Sequence, residues 1–472
     1  MAETSSGSDG APERPHHAAG IPERGIDLST FTADASAALA GPAWLSRRRT
    51  EAWERTQLTA LPAESEEVWR YSGIDSFDLD AFAPVPAGTA DTATRAELAL
   101  ARSVAGAFGP RSALVVTSQG ALLAVEELAD TAGSLTVAGL SATAEAPPGL
   151  GRLARARDGF GELHDAYLAD VLQVTVAAKA RIADPVVVVH LVAEGDPAGP
   201  APAVFPHTVV DLGTSAEAGL IELYVTPPGP DRTGEAPGAL VVPVTELDLA
   251  DDARLDYAAL QILGPGCWQV ALQASRLGRD ATLRSFTAGL GGRYARVRTD
   301  SDLTGPGGRT SLLAAYLGTG NQVHDFRTLQ DHHAPRTESE LLFKGAVADS
   351  AHSVYSGLIR MRHGARGADA RQTNHNLVLS EGAHADSVPN LDILENDVRC
   401  SHASTVGPID EDQRYYLESR GIEPEVAERL VVLGFFSDLA GRSPFAGVAG
   451  WVDEQVVTRL GDRLFPLRSS DG

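Results

Sequence analysis

The chain has 472 residues, 43% of them hydrophobic and 22% charged, which is the balance of a folded soluble protein and too long for one compact core unless that core is elongated or repetitive. A formal net charge of -24 repels phosphate backbones and anionic lipid surfaces, so neither nucleic acid nor membrane is an expected partner. Only Cys267 and Cys400 are present, which excludes a disulfide framework and any self-contained four-cysteine metal site.

Residues 1–25 are rich in Ser, Gly, Pro and Ala with few large apolar side chains, so a disordered tail is expected there. The tail lacks the apolar core of a secretory signal, and no apolar run is long enough to span a bilayer, so the expected location is cytoplasmic. Residues 26–170 read as a helical and mixed domain. Ala43 to Leu58 carries apolar residues at helical spacing, and Asp91 to Ala107 is rich in Ala, Leu and Arg. Between them EEVWRYSGIDSFDLD reads as an ordered extended stretch anchored by Trp69, Tyr71 and Phe77. A few strands are expected near Ala113 to Val125, and a partly helical stretch from Gly161 to Thr175.

From 171 to 405 short β-rich runs such as DPVVVVHLVA, QVHDFRTLQ and HSVYSGLIRM follow one another, separated by Gly-, Asp-, Asn- or His-rich turns. Strands in this rhythm without crossover helices suit a sandwich, a barrel or a β-solenoid. The length favours a solenoid, to which coils can be added indefinitely, although no strict sequence repeat is visible. Residues 406–472 read as a helical domain. Asp410 to Gly421 opens on acids and closes on Gly, Pro424 takes the first position of a second helix, and Pro444 begins a third through about Leu460. Leu430, Val431, Leu433, Gly434 and Phe435 form an apolar surface, for core packing or for docking a partner.

The chemistry is sparse. Neither Lys179 nor Lys344 sits in a phosphate-binding loop, GLGGRY and GPGGRTS miss the dinucleotide pattern, and HExxH and GxSxG are missing. The chain is therefore not expected to be an enzyme, and any ATP its process needs must be hydrolysed by another subunit. The one metal-like arrangement is Cys400-Ser401-His402. On a strand, residues i and i+2 share a face with backbones ~7 Å apart, and a thiolate beside an imidazole suits iron, an iron–sulfur cluster or zinc. Two ligands cannot complete a site, so the rest comes from elsewhere or from a second protein. Spacing alone describes equally a buried Cys beside a surface His, which is the commoner case. Among the other histidines, the adjacent His332 and His333 would face opposite ways on a strand, and His375, between two Asn, suits a solenoid corner. His324, His352, His363 and His384 read as polar strand or turn residues, and Lys344 as half of a structural salt bridge.

DHHAPRTESELLFKGAVADSAHSVYSGLIRM (331–361) and NLVLSEGAHADSVPNLDILENDVRCSHASTVGPIDEDQRYYLESRGI (376–422) closely resemble the SufB/SufD family, and WRY at 69–71 is the clearest point of likeness nearer the start. RCSH is similar to the SufD branch, which carries the Cys-x-His form. The resemblance implies a mainly β fold, a right-handed parallel β-helix flanked by N-terminal and C-terminal helical domains. It also implies a non-catalytic scaffold in iron–sulfur cluster assembly. SufB would pair through the ends of the two β-helices, and the ATPase SufC would dock on the C-terminal helices. His402 would face a SufB cysteine and help hold a transient nascent cluster, with Cys400 the neighbouring candidate ligand. A homodimer of the chain alone and a flavin in the complex stay open. So do two readings of other classes, a β-helix enzyme acting on polysaccharide and a homodimeric zinc protein using Cys400 and His402 twice.

Overall fold

The computed structural model describes residues 29–85, 94–126, 131, 133–140, 143–147, 149–195, 198–228 and 236–464; the tail expected at 1–25 lies outside them. The first helices are α1 (Ala33–Ala37), α2 (Ala43–Thr56) and α3 (Arg95–Ala105). Thr94 and Glu97 form a reciprocal capping box at the start of α3. Helix α2 is fixed by Arg49, 1% exposed, whose guanidinium donates to the carbonyls of Leu39, Ala40, Leu168 and Ala169. The last two directly follow α4 (Gly159–Tyr167), and a strand at Leu172–Val176 comes next. Trp69 anchors the irregular stretch, 2% exposed with the Arg296 guanidinium 3.6 Å from its ring centroid. Tyr71 is no anchor: it is 48% exposed and its left-handed backbone, φ 66°, turns the side chain away from that contact.

The centre of the molecule is a β-solenoid of about seven turns. Successive strands alternate between two sheets, and each pairs in parallel with the strand one coil away. Tyr294, Val323, His352 and His384 form one rung of the first sheet, and Glu338, Asp369 and Arg399 one rung of the second. The strand Ala113–Ser118 and its hairpin partner Ala121–Glu126 extend the second sheet, and Leu135–Gly139 extends the first. Corners are turned by residues in the left-handed region, Asp252, Asp280, Arg336 and Asp349 with φ of 55° to 58°. Gly307 (φ 77°) is held to glycine twice over, since a Cβ there would meet the Asp280 carboxylate.

Alternation decides what lies inside. In the strand Asp369–Val378, Ala370, Gln372, Asn374 and Asn376 point into the lumen, and Ser387 of the opposite sheet donates to Asn374 across it at 2.8 Å. The C-terminal helices are α5 (Glu411–Glu418), α6 (Pro424–Ala440) and α7 (Ala446–Leu464). Asp410 caps α5, and Pro424 opens α6. Val432, Phe436 and Leu439 of α6 and Trp451 and Val452 of α7 pack on Leu313, Ala315 and Leu342, which face outwards from the second sheet. Lys344 fastens α6 with an ion pair to Asp438 at 2.7 Å and a hydrogen bond to the Phe435 carbonyl at 3.0 Å. Among the described residues no helix is long and apolar enough to cross a membrane.

Candidate functional site

The last coil consists of the strands His384–Ile393 and Arg399–Gly407. Each ends its sheet, with a ladder partner on one side only. Burial collapses there. Gln372, Asn374 and Asn376 in the preceding coil are buried, whereas every residue from Ser401 to Val406 is exposed. Val388, Leu391, Ile393, Leu394 and Val406 put apolar side chains around this end, each 37% to 47% exposed. Unpaired N–H and C=O groups beside bare apolar side chains are a template for another chain.

Cys400 and His402 both stand on this coil. Cys400 continues the inward column above Ala370, and His402 the column above Gln372. The shared face expected from their spacing is thus the lumen face, open at its end. Cys400 packs with Ile359, Met361 and Ala365, and burial, helped by the charge of Asp369, pushes its thiol up to about 11. It is a protonated, half-buried thiol at neutral pH, whereas His402 is exposed and its ring has no hydrogen-bond partner among the described residues. Beneath it the Gln372 amide is 1% exposed, and neither its oxygen nor its nitrogen has a partner among the described residues. A polar column therefore reaches the open end unsatisfied. An imidazole there can lend a lone pair to a thiophilic metal, and a complete site would need ligands from outside this pair.

A family model described as SUF system FeS cluster assembly, SufBD core domain, matches residues 194–435, half of the chain. This chain belongs to the SufBD family. It is 28% identical to the iron–sulfur cluster assembly protein SufD of Escherichia coli over 415 residues, 86% of this chain and 90% of that protein. SufD of Bacillus subtilis is 31% identical over 247 residues, 52% of this chain and 55% of that protein. A SufBD family protein of Mycobacterium leprae is 41% identical over 174 residues, 35% of this chain and 44% of that protein. The chain spans about half the length of the mycobacterial relatives it matches.

A second surface lies on the C-terminal helices. A groove between α5 and α6 is lined by Leu377, Tyr416, Leu430, Val431, Gly434 and Phe435. Four of the five residues singled out on α6 line it, and Leu430 is 44% exposed. Leu433 does not; it packs against the core shared by the helices and the second sheet. Tyr416, 57% exposed, also lines the groove, and the Tyr-Tyr pair in a mostly polar helix is its one signal in the sequence.

The remaining histidines separate by environment. His332 is buried against Thr337 and Ser339, and its neighbour His333 points the other way, 3.5 Å from Asp331. His375 is not at a corner: it lies in the middle of the strand Asp369–Val378, in register with Lys344, because the flanking Asn374 and Asn376 fill lumen positions rather than a turn. Burial and the Lys344 charge lower its pKa. His352 and His384, one coil apart, are brought together with Asp386, a grouping that no local spacing announces.

Proposed function

We propose that this SufBD-family chain is the SufD-type, non-catalytic scaffold subunit of a complex that builds nascent iron–sulfur clusters. The open end of the solenoid carries this reading: two unpaired sheet edges, an apolar rim, and His402 with Cys400 on the last inward-facing columns. A second solenoid of the same cross-section, SufB, would continue both ladders and bury the rim. The transient cluster is cargo of that interface. His402 supplies an imidazole ligand from this side, and cysteine thiolates of SufB supply the rest. Cys400, held as a thiol, lies next to it. The α5–α6 groove is the proposed seat of the SufC ATPase, whose hydrolysis this chain's lack of a nucleotide loop requires of another subunit. Lys344 then couples that seat to the second sheet through Phe435 and Asp438.

Co-expression of the chain with SufB and SufC tests the reading. The expected product is a stable complex that acquires iron and sulfide. His402→Ala is expected to keep the complex intact and to lower cluster content several-fold, and Leu430→Asp to release SufC while SufB stays bound. A His402→Ala complex that loads clusters like the parent would refute the shared site. Copurification failing with SufB, while the chain alone is a stable homodimer through the same end, would refute the heterocomplex.

A further inference from the structure

His352 and His384 are ladder partners at the first position of their strands, and Asp386 follows two residues on, on the same outward face of the first sheet. The nearest ring nitrogens and carboxylate oxygen lie within 4.8 Å of one another. His352 Nε2 is 2.8 Å and His384 Nε2 3.4 Å from the same oxygen, Asp386 Oδ2. Ligands bound to one first-row ion at about 2.0–2.1 Å are separated by roughly 2.9 Å at octahedral angles and roughly 3.3 Å at tetrahedral ones. The two His–Asp separations lie near those values, and a bound ion would take the place of the proton now shared between His352 and Asp386. Two imidazoles and one carboxylate on one face, with the outer side open, form the donor set of a divalent transition-metal site that keeps positions for water.

A comparable cluster on the same sheet shows what a site of the other kind looks like. Asp302, Asp331 and His333 also gather within 4.8 Å. There Arg362 holds both oxygens of Asp331 at 2.7 Å each, so the charge is already matched and a cation would have to expel a guanidinium. No Arg or Lys among the described residues pairs with Asp386, whose carboxylate faces only the two histidines. The net charge of the chain adds a field that favours cations. The cluster is also separate from Cys400 and His402. Ala385, beside it, packs with Val347, Ala351 and Ala383 at one corner of the lumen, whereas Cys400 packs with Met361 and Ala365 at the other.

We infer that His352, His384 and Asp386 form a binding site for one divalent transition-metal ion, of the zinc or ferrous class, that clips the edge strand of the last coil to the coil before it. The site is built wholly from this chain, and it stands or falls independently of the cluster-assembly reading. Untagged full-length protein, stripped with a chelator, is titrated with Zn2+ by calorimetry and with Co2+ by absorption. One equivalent is expected to bind, with no thiolate-to-cobalt charge-transfer band, and zinc is expected to raise the melting temperature. His384→Ala and Asp386→Asn should each weaken binding roughly tenfold or more and cancel the thermal shift, and the Cys400→Ser/His402→Ala double variant should bind like the parent. His384 is 68% exposed, so its truncation leaves packing intact, and Asp386→Asn keeps the side-chain shape. No zinc uptake by the parent, unchanged uptake by both single variants, or uptake lost only in the double variant would each overturn the site.

Discussion

The middle of the solenoid and its last coil hold polar groups in opposite ways. In the middle, Glu222 points into the lumen, 0% exposed, and its carboxylate takes four hydrogen bonds, from Thr208 (2.7 Å), Thr245 (3.0 Å), Tyr257 (2.6 Å) and His190 (3.1 Å). His190 stacks on Tyr224 at 4.3 Å and reaches Thr117 with its other nitrogen. Burial alone would push the Glu222 carboxyl up, but the bonds from His190, Tyr257 and Thr208 outweigh it and hold it below the usual range. At the last coil His402 is exposed with a bare ring. A polar group whose every partner is inside the chain serves the fold; one set on an inward column with no coil above it is left open to bonds from outside the chain.

Substitution in the closed middle of the solenoid should be the most damaging. Glu222→Ala leaves four buried partners without an acceptor, and should cost about 3–5 kcal/mol, read as a shift in the urea midpoint. The Glu222 contribution also has a pH signature. A carboxyl held low in the folded state adds stability above its unfolded pKa, about 4.3, and that stability is lost as pH falls through the lower folded value. The parent should therefore lose stability into acid more steeply than Glu222→Ala; parallel acid titrations of the two would contradict the network. Next in size is the contrast between the cysteines. Burial pushes the Cys267 thiol up to about 12 and the Cys400 thiol up to about 11, so alkylation near pH 8 should be slow for both compared with a free thiol. Cys400 alone should accelerate as pH approaches 11, and a fast Cys400 at neutral pH would mean a thiolate ligand ready without a partner. The smallest effect is His402→Ala in the isolated chain, within about 0.5 kcal/mol of the parent. A loss of several times that would make His402 a structural residue.

Much of the architecture was legible. Short β-rich runs divided by Gly and Asp turns named the strands, because each coil must bury its inward face and bend sharply at the corners. The capped helices at the end were legible because Asp410 and Pro424 signal locally. Tyr71 misled because an aromatic beside Trp69 looks like an anchor, and only its backbone conformation turns it out. His375 misled because Asn neighbours suggest a turn when read locally, whereas the lumen of a coil also takes Asn, as Tyr316 shows by bonding Asn374 and Asn376. Of the His352, His384 and Asp386 grouping only the His384-x-Asp386 spacing was local; His352 joins it through a register one coil long.

By itself the sequence determined the class of fold, the incomplete Cys400-x-His402 pair and, through the 331–361 and 376–422 segments, the family. Tertiary structure alone decided which of the two alternating faces lines the lumen, that Cys400 is half-buried while His402 is exposed, and that the pair stands where the coils stop. Side-chain direction follows from residue parity, which sequence supplies. Exposure follows from whether another coil lies above, and that is a property of stacking order rather than of any residue.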